Sequence, residues 1–494
     1  MYTFSSKLRT FSFILMLLGA LGIGYGFLTA PKTIQDVEAI LKAEEAHHGG
    51  GHEVIASHQE TEASSHETIT NHEEPTKSTV DSLAIKTEIV STTQDSITET
   101  VTANHEEHVI NNKGVTYDEA ITHAEHKEHL EHVLHQLQNK PWAAFYVACI
   151  FFMLISLGVL AFYGIQQVAQ AGWSPVLFRV MQGITAYLPV GSVIFFILLV
   201  LCGLHFNHLF VWMDKDVVAH DKLIQAKSGY LNFPFWIIRA AVFLTGWNIY
   251  RYFSRKNCLA QDESTDNSNY KKNFNISAMF LVFFIVTESI MSWDWIMSVD
   301  PHWFSTLFGW YVFASFFVSG ITTICMVTLY LKSKGYLENV NSSHIHDLAK
   351  FMFGISVFWT YLWFSQFMLI WYANIPEEVT YFVTRIELYN LPFFGAVVMN
   401  FVFPILILIN TDFKRISWIL VMAGTVILLG HYVDFFNMIM PATVGDRWFI
   451  GVSEIASVFF FLGLFIFVVF TALTKAPLLP KRNPFIEESK HFHY

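Results

Sequence analysis

At 494 residues, with 53% hydrophobic and 16% aromatic side chains but only 14% charged ones, the chain carries more apolar surface than a soluble domain of its size can bury. Its formal charge of -11 comes partly from one acidic segment and is not set against any basic patch, so no nucleic-acid partner is expected. Four cysteines, Cys149, Cys202, Cys258 and Cys325, stand singly, with no CxxCH for covalent haem and no cluster for zinc or iron–sulfur; no covalently bound cofactor and no metal are expected in this chain.

The first element, within residues 1–31, is an apolar run from 11 to 30 behind Lys7 and Arg9. A stretch of about 20 apolar residues spans roughly 30 Å of hydrocarbon. It is long for a signal-peptide core and no clear A-x-A site follows, so a retained helix is expected. Residues 32–140 then change to Glu, Thr, Ser and His, which cannot bury enough apolar surface to fold alone. This segment is expected to be an outer loop, largely disordered or draped over partners. It holds thirteen histidines, of which His123, His126, His129, His132 and His135 recur every third residue among good helix formers. That spacing fits a solvated polar helix; adjacent pairs also suit metal capture or proton buffering.

Further apolar runs follow at 142–166, 188–212, 233–254 and 275–297, within a first four-helix bundle at 141–298. Runs at 305–331, 351–373, 391–410 and 416–439 make a second bundle at 299–440, and a tenth helix, 448–473, lies in 441–474 before a tail at 475–494. Continuous runs exclude a transmembrane β-barrel, whose strands alternate. The fold class expected is therefore an all-α polytopic membrane protein of ten transmembrane helices, spans 2–5 and 6–9 forming the bundles and helices 1 and 10 flanking them. Placing the N-terminus inside puts seventeen Lys and Arg residues in the inner loops and termini, against five in the short outer loops, Lys215, Lys222, Lys227, Arg385 and Arg447. Both termini are expected on the cytoplasmic side. The two bundles also end alike, Glu288 and SWDWIMS closing the fifth span, His431, Asp434 and FFNMIMP the ninth, which is a weak parallel repeat.

In this topology His205, His208, Arg239, Glu288, Asp294, His431, Asp434 and Glu454 all fall towards the outer face. Charges in hydrocarbon cost several kcal/mol or more unless paired or hydrated, roughly, and the inner halves of the spans hold no comparable acid or histidine. A polar half-channel open to the outside is expected, with Glu288, Asp294, His431, Asp434 and Glu454 as its proton-pathway residues. Arg239, at a similar estimated depth to Glu288 on the neighbouring helix, is the charge partner. His431 and Asp434, three residues apart on one helix face, suit a proton acceptor tuned by an acid and equally suit helix packing. His205 and His208 form HxxH on the third helix, but the spacing does not supply the facing histidines that haem needs. Together with Trp293 and Trp295, which flank Asp294, they are candidates to line a quinone-sized cleft. Most other tryptophans fit the interfacial belt, and Asp300, Pro301 and His302 fit a turn.

At SWDWIMSVDPHWFSTLFGWY, from Ser292 to Tyr311, and WYANIPEE, from Trp371 to Glu378, the sequence resembles the F-type integral membrane subunit of bacterial alternative complex III, a quinol:cytochrome c oxidoreductase. The resemblance covers essentially the whole membrane portion and implies the fold of the NrfD and polysulfide-reductase membrane subunits. It implies a homologous C-type sister in the membrane and multihaem and monohaem cytochrome c subunits. It further implies an iron–sulfur periplasmic subunit, a terminal oxidase or cytochrome c as acceptor, and residence in the bacterial inner membrane among its lipids. Haem and iron–sulfur would then lie in the partners and menaquinol or another quinol would be used at the level of the complex, the quinol site belonging to the sister and a proton route to this subunit. The rival readings are a proton- or sodium-coupled secondary transporter and a purely structural scaffold of the complex.

Overall fold

A computed structural model of the chain describes residues 1–47 and 117–493. The described residues contain helices and no strands: α1 Ser6–Thr29, α2 Ile34–His47, α3 Tyr117–Val168, α4 Phe178–Ile184, α5 Leu188–Gly203, α6 Lys215–His220, α7 Lys222–Lys227, α8 Phe233–Gln261 and α9 Ser268–Trp295. They continue as α10 Phe308–Ser333, α11 Ser342–Ala373, α12 Pro376–Glu387, α13 Asn390–Val397, α14 Phe403–Leu408, α15 Ser417–Val444, α16 Val452–Leu473 and α17 Ile486–Lys490. Two compact units divide the chain, Met1–Val37 with Leu130–Tyr494 and, separately, Glu38–His129. Most of the histidine-rich loop, residues 48–116, lies outside the described residues, as does the side chain of His123; the loop's described ends are helical, and α3 runs on through Pro141 into the membrane-length segment.

Nine helices among the described residues are long and apolar enough to cross a membrane, which makes the chain an all-α polytopic membrane protein. The helix expected as the fourth span, α8, is not one of the nine. Its 29 residues reach about 43 Å, but Arg239, Arg251, Arg255 and Lys256 interrupt the apolar run. The third span also differs from expectation. It begins at Pro175, turns through α4 into α5 and stops at Gly203, rather than running over 188–212.

Two helices form the centre. The apolar windows of α3 and α10 are 94% and 89% buried inside the protein, against 22% for α1. They cross where Gly158 faces the Phe316 carbonyl and Gly320 faces the backbone of Gly158 and Val159. Without lipid-excluding hydrophobic force between apolar helices, close backbone approach at small residues supplies the attraction. The same device seats α1 on α16, with Gly19 against the Phe460 backbone, Gly22 against Ala456 and Gly26 against Ser453. Falling numbers on one helix against rising ones on the other make that pair antiparallel. Around the centre, α8 packs along α9 and α5, while α15 packs on α10, α13 and α14.

The helix ends gather in two sets. At one end Asn139, His208 and Thr443 are joined by hydrogen bonds, as are Tyr389 and Gly445; this is the histidine end. At the other, Arg179 pairs with Asp262 at 2.5 Å, and the C-terminal segment is tied back through Ser489 to Trp173 and through the Phe492 carbonyl to Asn341. That is the basic end.

A Cβ at Gly320 would lie 2.9 Å from the Val159 nitrogen, a contact with backbone that cannot rotate away, whereas one at Gly354 meets open space. Gly320→Leu is expected to destabilise the solubilised protein by at least about 1–3 kcal/mol. Gly354→Ala should leave stability unchanged or slightly raised. Thermal unfolding of both variants in detergent checks the pair; equal melting temperatures would remove the α3–α10 crossing from its central role.

Candidate functional site

Near the histidine end of α9 the carboxylate of Asp294 is fully buried. Arg239 of α8 grips it with two parallel bonds, Nε to Oδ2 at 2.6 Å and Nη2 to Oδ1 at 2.9 Å. The guanidinium lies over the rings of Tyr230 and Phe235, 4.0 and 4.2 Å from their centroids, and donates a third bond to the Tyr230 carbonyl. Trp236 Nε1 donates to the Asp294 carbonyl at 2.8 Å, and Tyr146 of α3 donates to the Trp295 carbonyl at 2.8 Å. The pairing of Arg239 with Glu288 expected from helix depth therefore does not form. Depth measured along the helix neglects the arginine stem, which carries its head towards the membrane surface, and Asp294 is the acid found there.

Glu288 sits between one and two turns deeper on α9, 4% exposed. It accepts from Ser289 Oγ and Ser292 Oγ, each at 3.2 Å, and no cation pairs with it among the described residues. Ser289 also touches Gly309, so α10 runs beside this cluster.

On the other face of α10 lies the second cluster. Asp434 of α15 accepts from Tyr311 Oη at Oδ1, and at Oδ2 from Ser315 Oγ at 2.8 Å and Trp359 Nε1 at 2.9 Å. His431 does not touch the acid directly: Nδ1 is 3.9 Å from Oδ2, and Ser315 Oγ bridges them, 2.9 Å from Nδ1. The serine has one hydrogen. Donating it to Asp434 leaves its lone pair to accept from Nδ1–H, which assigns the ring's basic lone pair to Nε2. That nitrogen is buried and has no hydrogen-bond partner. Trp359 stands edge-on to the imidazole, 5.4 Å between ring centroids. The side chains thus form a chain of exchangeable groups, Tyr311, Asp434, Ser315 and His431, held on α10 and α15.

Arg385, counted among the short outer loops, lies buried in α12. Its Nε donates to the Asn437 carbonyl of α15 at 3.0 Å, one turn before Pro441, and its guanidinium lies 3.3 Å over Tyr381, which stacks on Trp303 at 4.0 Å. A positive charge thus faces the Tyr311–Asp434 end of the chain. The only sequence signal for it was a lone arginine four residues after a tyrosine within an amphipathic segment.

His205 and His208 are not on a helix. The chain leaves α5 at Gly203, and His205 takes a left-handed conformation, φ 61°, in the turn that follows. Asn139 of α3 clasps the turn by bonding both the nitrogen and the carbonyl of His208, and the ring of His208 meets that of His135 edge-on at 5.2 Å. With His132 and Asp214 these side chains line a cavity of about 480 Å³. No three His, Cys, Asp or Glu side chains among the described residues are placed to share a metal. Trp293 and Trp295 do not line that cavity. Trp295 instead packs into the core against Phe195, at 4.8 Å, and Trp247, at 5.9 Å. Nor does Glu454 sit well down its helix: α16 begins at Val452, and the Glu454 carboxylate caps it, accepting from Gly451 N at 2.7 Å. His302, in the turn after α9, meets Asp221 at 2.5 Å, and Lys227 donates to the Pro301 carbonyl, so the α6–α7 loop docks on that turn. The His302 hydrogen bond holds the Asp221 carboxyl below its ordinary value.

The sites and the fold define a multi-pass membrane protein with two separate buried acid clusters. No family model matches the chain and no curated protein matches it.

Removing one member of a buried ion pair costs about 3–5 kcal/mol, because the other charge is left without a partner. Asp294→Asn is expected to lose stability on that scale, and Arg239→Met combined with Asp294→Leu should recover most of it; a double variant no better than the single one would sink the account. His208 supplies a pH dependence. Burial, aided by His135, holds its ring below the ordinary value of 6.5, so the folded form binds the proton less readily than the unfolded one. Its contribution is then complete above about pH 6.5 and is lost as the pH falls through the depressed value. Melting temperatures at about pH 7.5 and about pH 5 should differ more for wild type than for His208→Gln.

Proposed function

We propose that the chain is a cofactor-free transmembrane subunit of a respiratory quinol:cytochrome c oxidoreductase of the alternative complex III type, and that it moves protons through its buried second cluster. The observation that carries the proton role is the continuous hydrogen-bonded run from Tyr311 through Asp434 and Ser315 to His431, ending on an unpartnered Nε2. Every member can give up one proton and take another, which a relay requires. Placement in this complex rests on the likeness at Ser292–Tyr311 and Trp371–Glu378, and these segments adjoin the cluster: Tyr311 closes the first, and the second ends about two helical turns before Arg385.

In this reading α8 crosses the membrane as well, giving ten spans. Helices α3, α5, α8 and α9 form one four-helix bundle, and α10, α11, α13 with α14, and α15 form the other. Both termini face the cytoplasm of a bacterial inner membrane and the histidine end faces the outer partners that carry haem and iron–sulfur. Quinol oxidation belongs to the homologous sister subunit. This chain contributes the proton path, with Glu288 as a second exchange group and Asp294 held as a fixed counter-charge to Arg239.

A secondary transporter is the second reading, and one observation favours it. The helix over 390–408 is interrupted by a π-helical turn at Val398–Val402, ahead of Pro404, and both carboxamide atoms of the buried Asn400 lack partners. Interrupted helices with open polar groups are where transporters bind their ions.

Quinol:cytochrome c reductase activity and haem spectra of the gently solubilised assembly test both. His431→Ala is expected to cut activity by about tenfold or more with the haem spectrum unchanged, and Glu288→Gln to act in the same direction. Full activity in an intact His431→Ala assembly would leave a scaffold, and a chain that purifies alone without haem would favour the transporter.

A further inference from the structure

Helix α8 carries four cations, Arg239, Arg251, Arg255 and Lys256, and among the described residues only Arg239 is paired with an acid. Arg251 and Arg255 have no carboxylate or hydrogen-bond partner among the described residues, and Arg251 Nε is buried without one. One helical turn apart, the two guanidiniums repel each other, and Arg255 is also repelled by Arg179, whose own charge is taken up by Asp262 at 2.5 Å. Two half-buried arginines without an anion are an unfinished arrangement, since each desolvated charge needs a counter-charge.

Directly above them, α8 and α5 leave a groove of about 590 Å³ on the outside of the bundle. Val193 and Ile197 line it from α5, and Leu244, Ile249 and Phe253 from α8. Ser192, Thr245, Asn248 and Tyr252 are the polar residues of its wall; the Asn248 amide donates to Ser192 Oγ at 2.9 Å and to the Leu244 carbonyl at 2.8 Å, while its Oδ1 has no partner. Helical periodicity puts Arg255, seven residues beyond Asn248, on the groove face, with Arg251 and the exposed Lys256 on either side of it. From Ala241 at the top of the groove to Arg255 is about 21 Å along the axis. The groove lining ends on α8 at Phe253, and Arg255 follows just beyond it with Arg251 and Lys256 beside it; an apolar slot next to such cations is complementary to one amphiphile, a chain with an anionic head.

We propose that this groove binds an anionic phospholipid, an acyl chain lying between α5 and α8 and the phosphate held by Arg251 and Arg255. Basic pockets beside membrane-spanning helices recognise anionic headgroups in this way. The site is separate from both acid clusters, and its test does not depend on them.

The test measures phospholipid retained by the purified assembly, extracted and quantified by mass spectrometry. Wild type is compared with Arg251→Gln/Arg255→Gln and with Val193→Trp, which fills the lipid-facing groove and leaves the arginines in place. Wild type should hold anionic lipid above its share of the source membrane; loss of the two charges should weaken retention by roughly tenfold, and Val193→Trp should also reduce it. Adding dioleoylphosphatidylglycerol to delipidated wild type should raise its melting temperature, while dioleoylphosphatidylcholine and glycerol phosphate alone should not. Equal retention in all three proteins overturns the proposal, as does equal stabilisation by the zwitterionic lipid. Stabilisation by glycerol phosphate alone would also overturn it, in favour of a free-phosphate site.

Discussion

A bilayer offers no water to a polar group, so a buried charge or dipole is stabilised chiefly where another group of the protein takes it. That requirement decides where the helices stop and which of them touch. Arg239 and Asp294 join α8 to α9 by a two-bond fork, and the Asp294 carbonyl is taken by Trp236 from the same side. Arg385 takes the Asn437 carbonyl of α15, whose helical donor is missing because Pro441 has no N–H. An arginine thus secures the histidine end of each acid-bearing helix, one through a carboxylate and one through backbone.

The most buried pair of helices supplies the hydroxyls. Close approach at Gly158 and Gly320 locks α3 against α10, and from these two helices Tyr146 reaches α9 while Tyr311 and Ser315 reach α15. The two hydroxyl donors to Asp434 therefore stand on a rigid element, which is what fixes hydrogen-bond geometry at a site. A larger residue at either glycine would displace the donors along with the helix that carries them.

Much of this was legible in the sequence. Nine of the ten apolar runs fall on helices that, among the described residues, are long and apolar enough to cross a membrane, and the i, i+3 spacing places His431 and Asp434 on one face of α15, as found. Where reading along the chain failed, it did so because distance along a helix is not position of a head group. Arg239 reaches past its own depth to Asp294, and Ser315, from a different helix, takes the place between His431 and Asp434 that spacing alone gave to a direct contact. The HxxH motif was lost for another reason: an apolar run, Leu198 to Val211, does not announce that the helix ends within it, and the left-handed turn at His205 carries none of the usual glycine or asparagine signal. Arg385 went unrecognised because an arginine in a short loop counts towards topology before its burial is known.

The two acid clusters differ in the chemistry of their partners, and this separates their roles. Asp294 is held by a guanidinium, which does not deprotonate in proteins, so its two bonds fix a charge in place and leave nothing to pass on. Asp434 is held by a phenol, a serine hydroxyl and an indole, with an imidazole behind the serine. Three of those four groups exchange protons, and no fixed cation bonds the carboxylate to lock it as an anion. Glu288, with two serine hydroxyls and no cation among the described residues, belongs with Asp434 in this respect although it shares a helix with Asp294. Asp294 and Arg239 consequently stabilise the fold as a permanent dipole at one end of α9, whereas the α10–α15 interface holds the exchangeable groups on which the proposed proton path rests. The unpartnered Nε2 of His431 is the point from which such a path would continue.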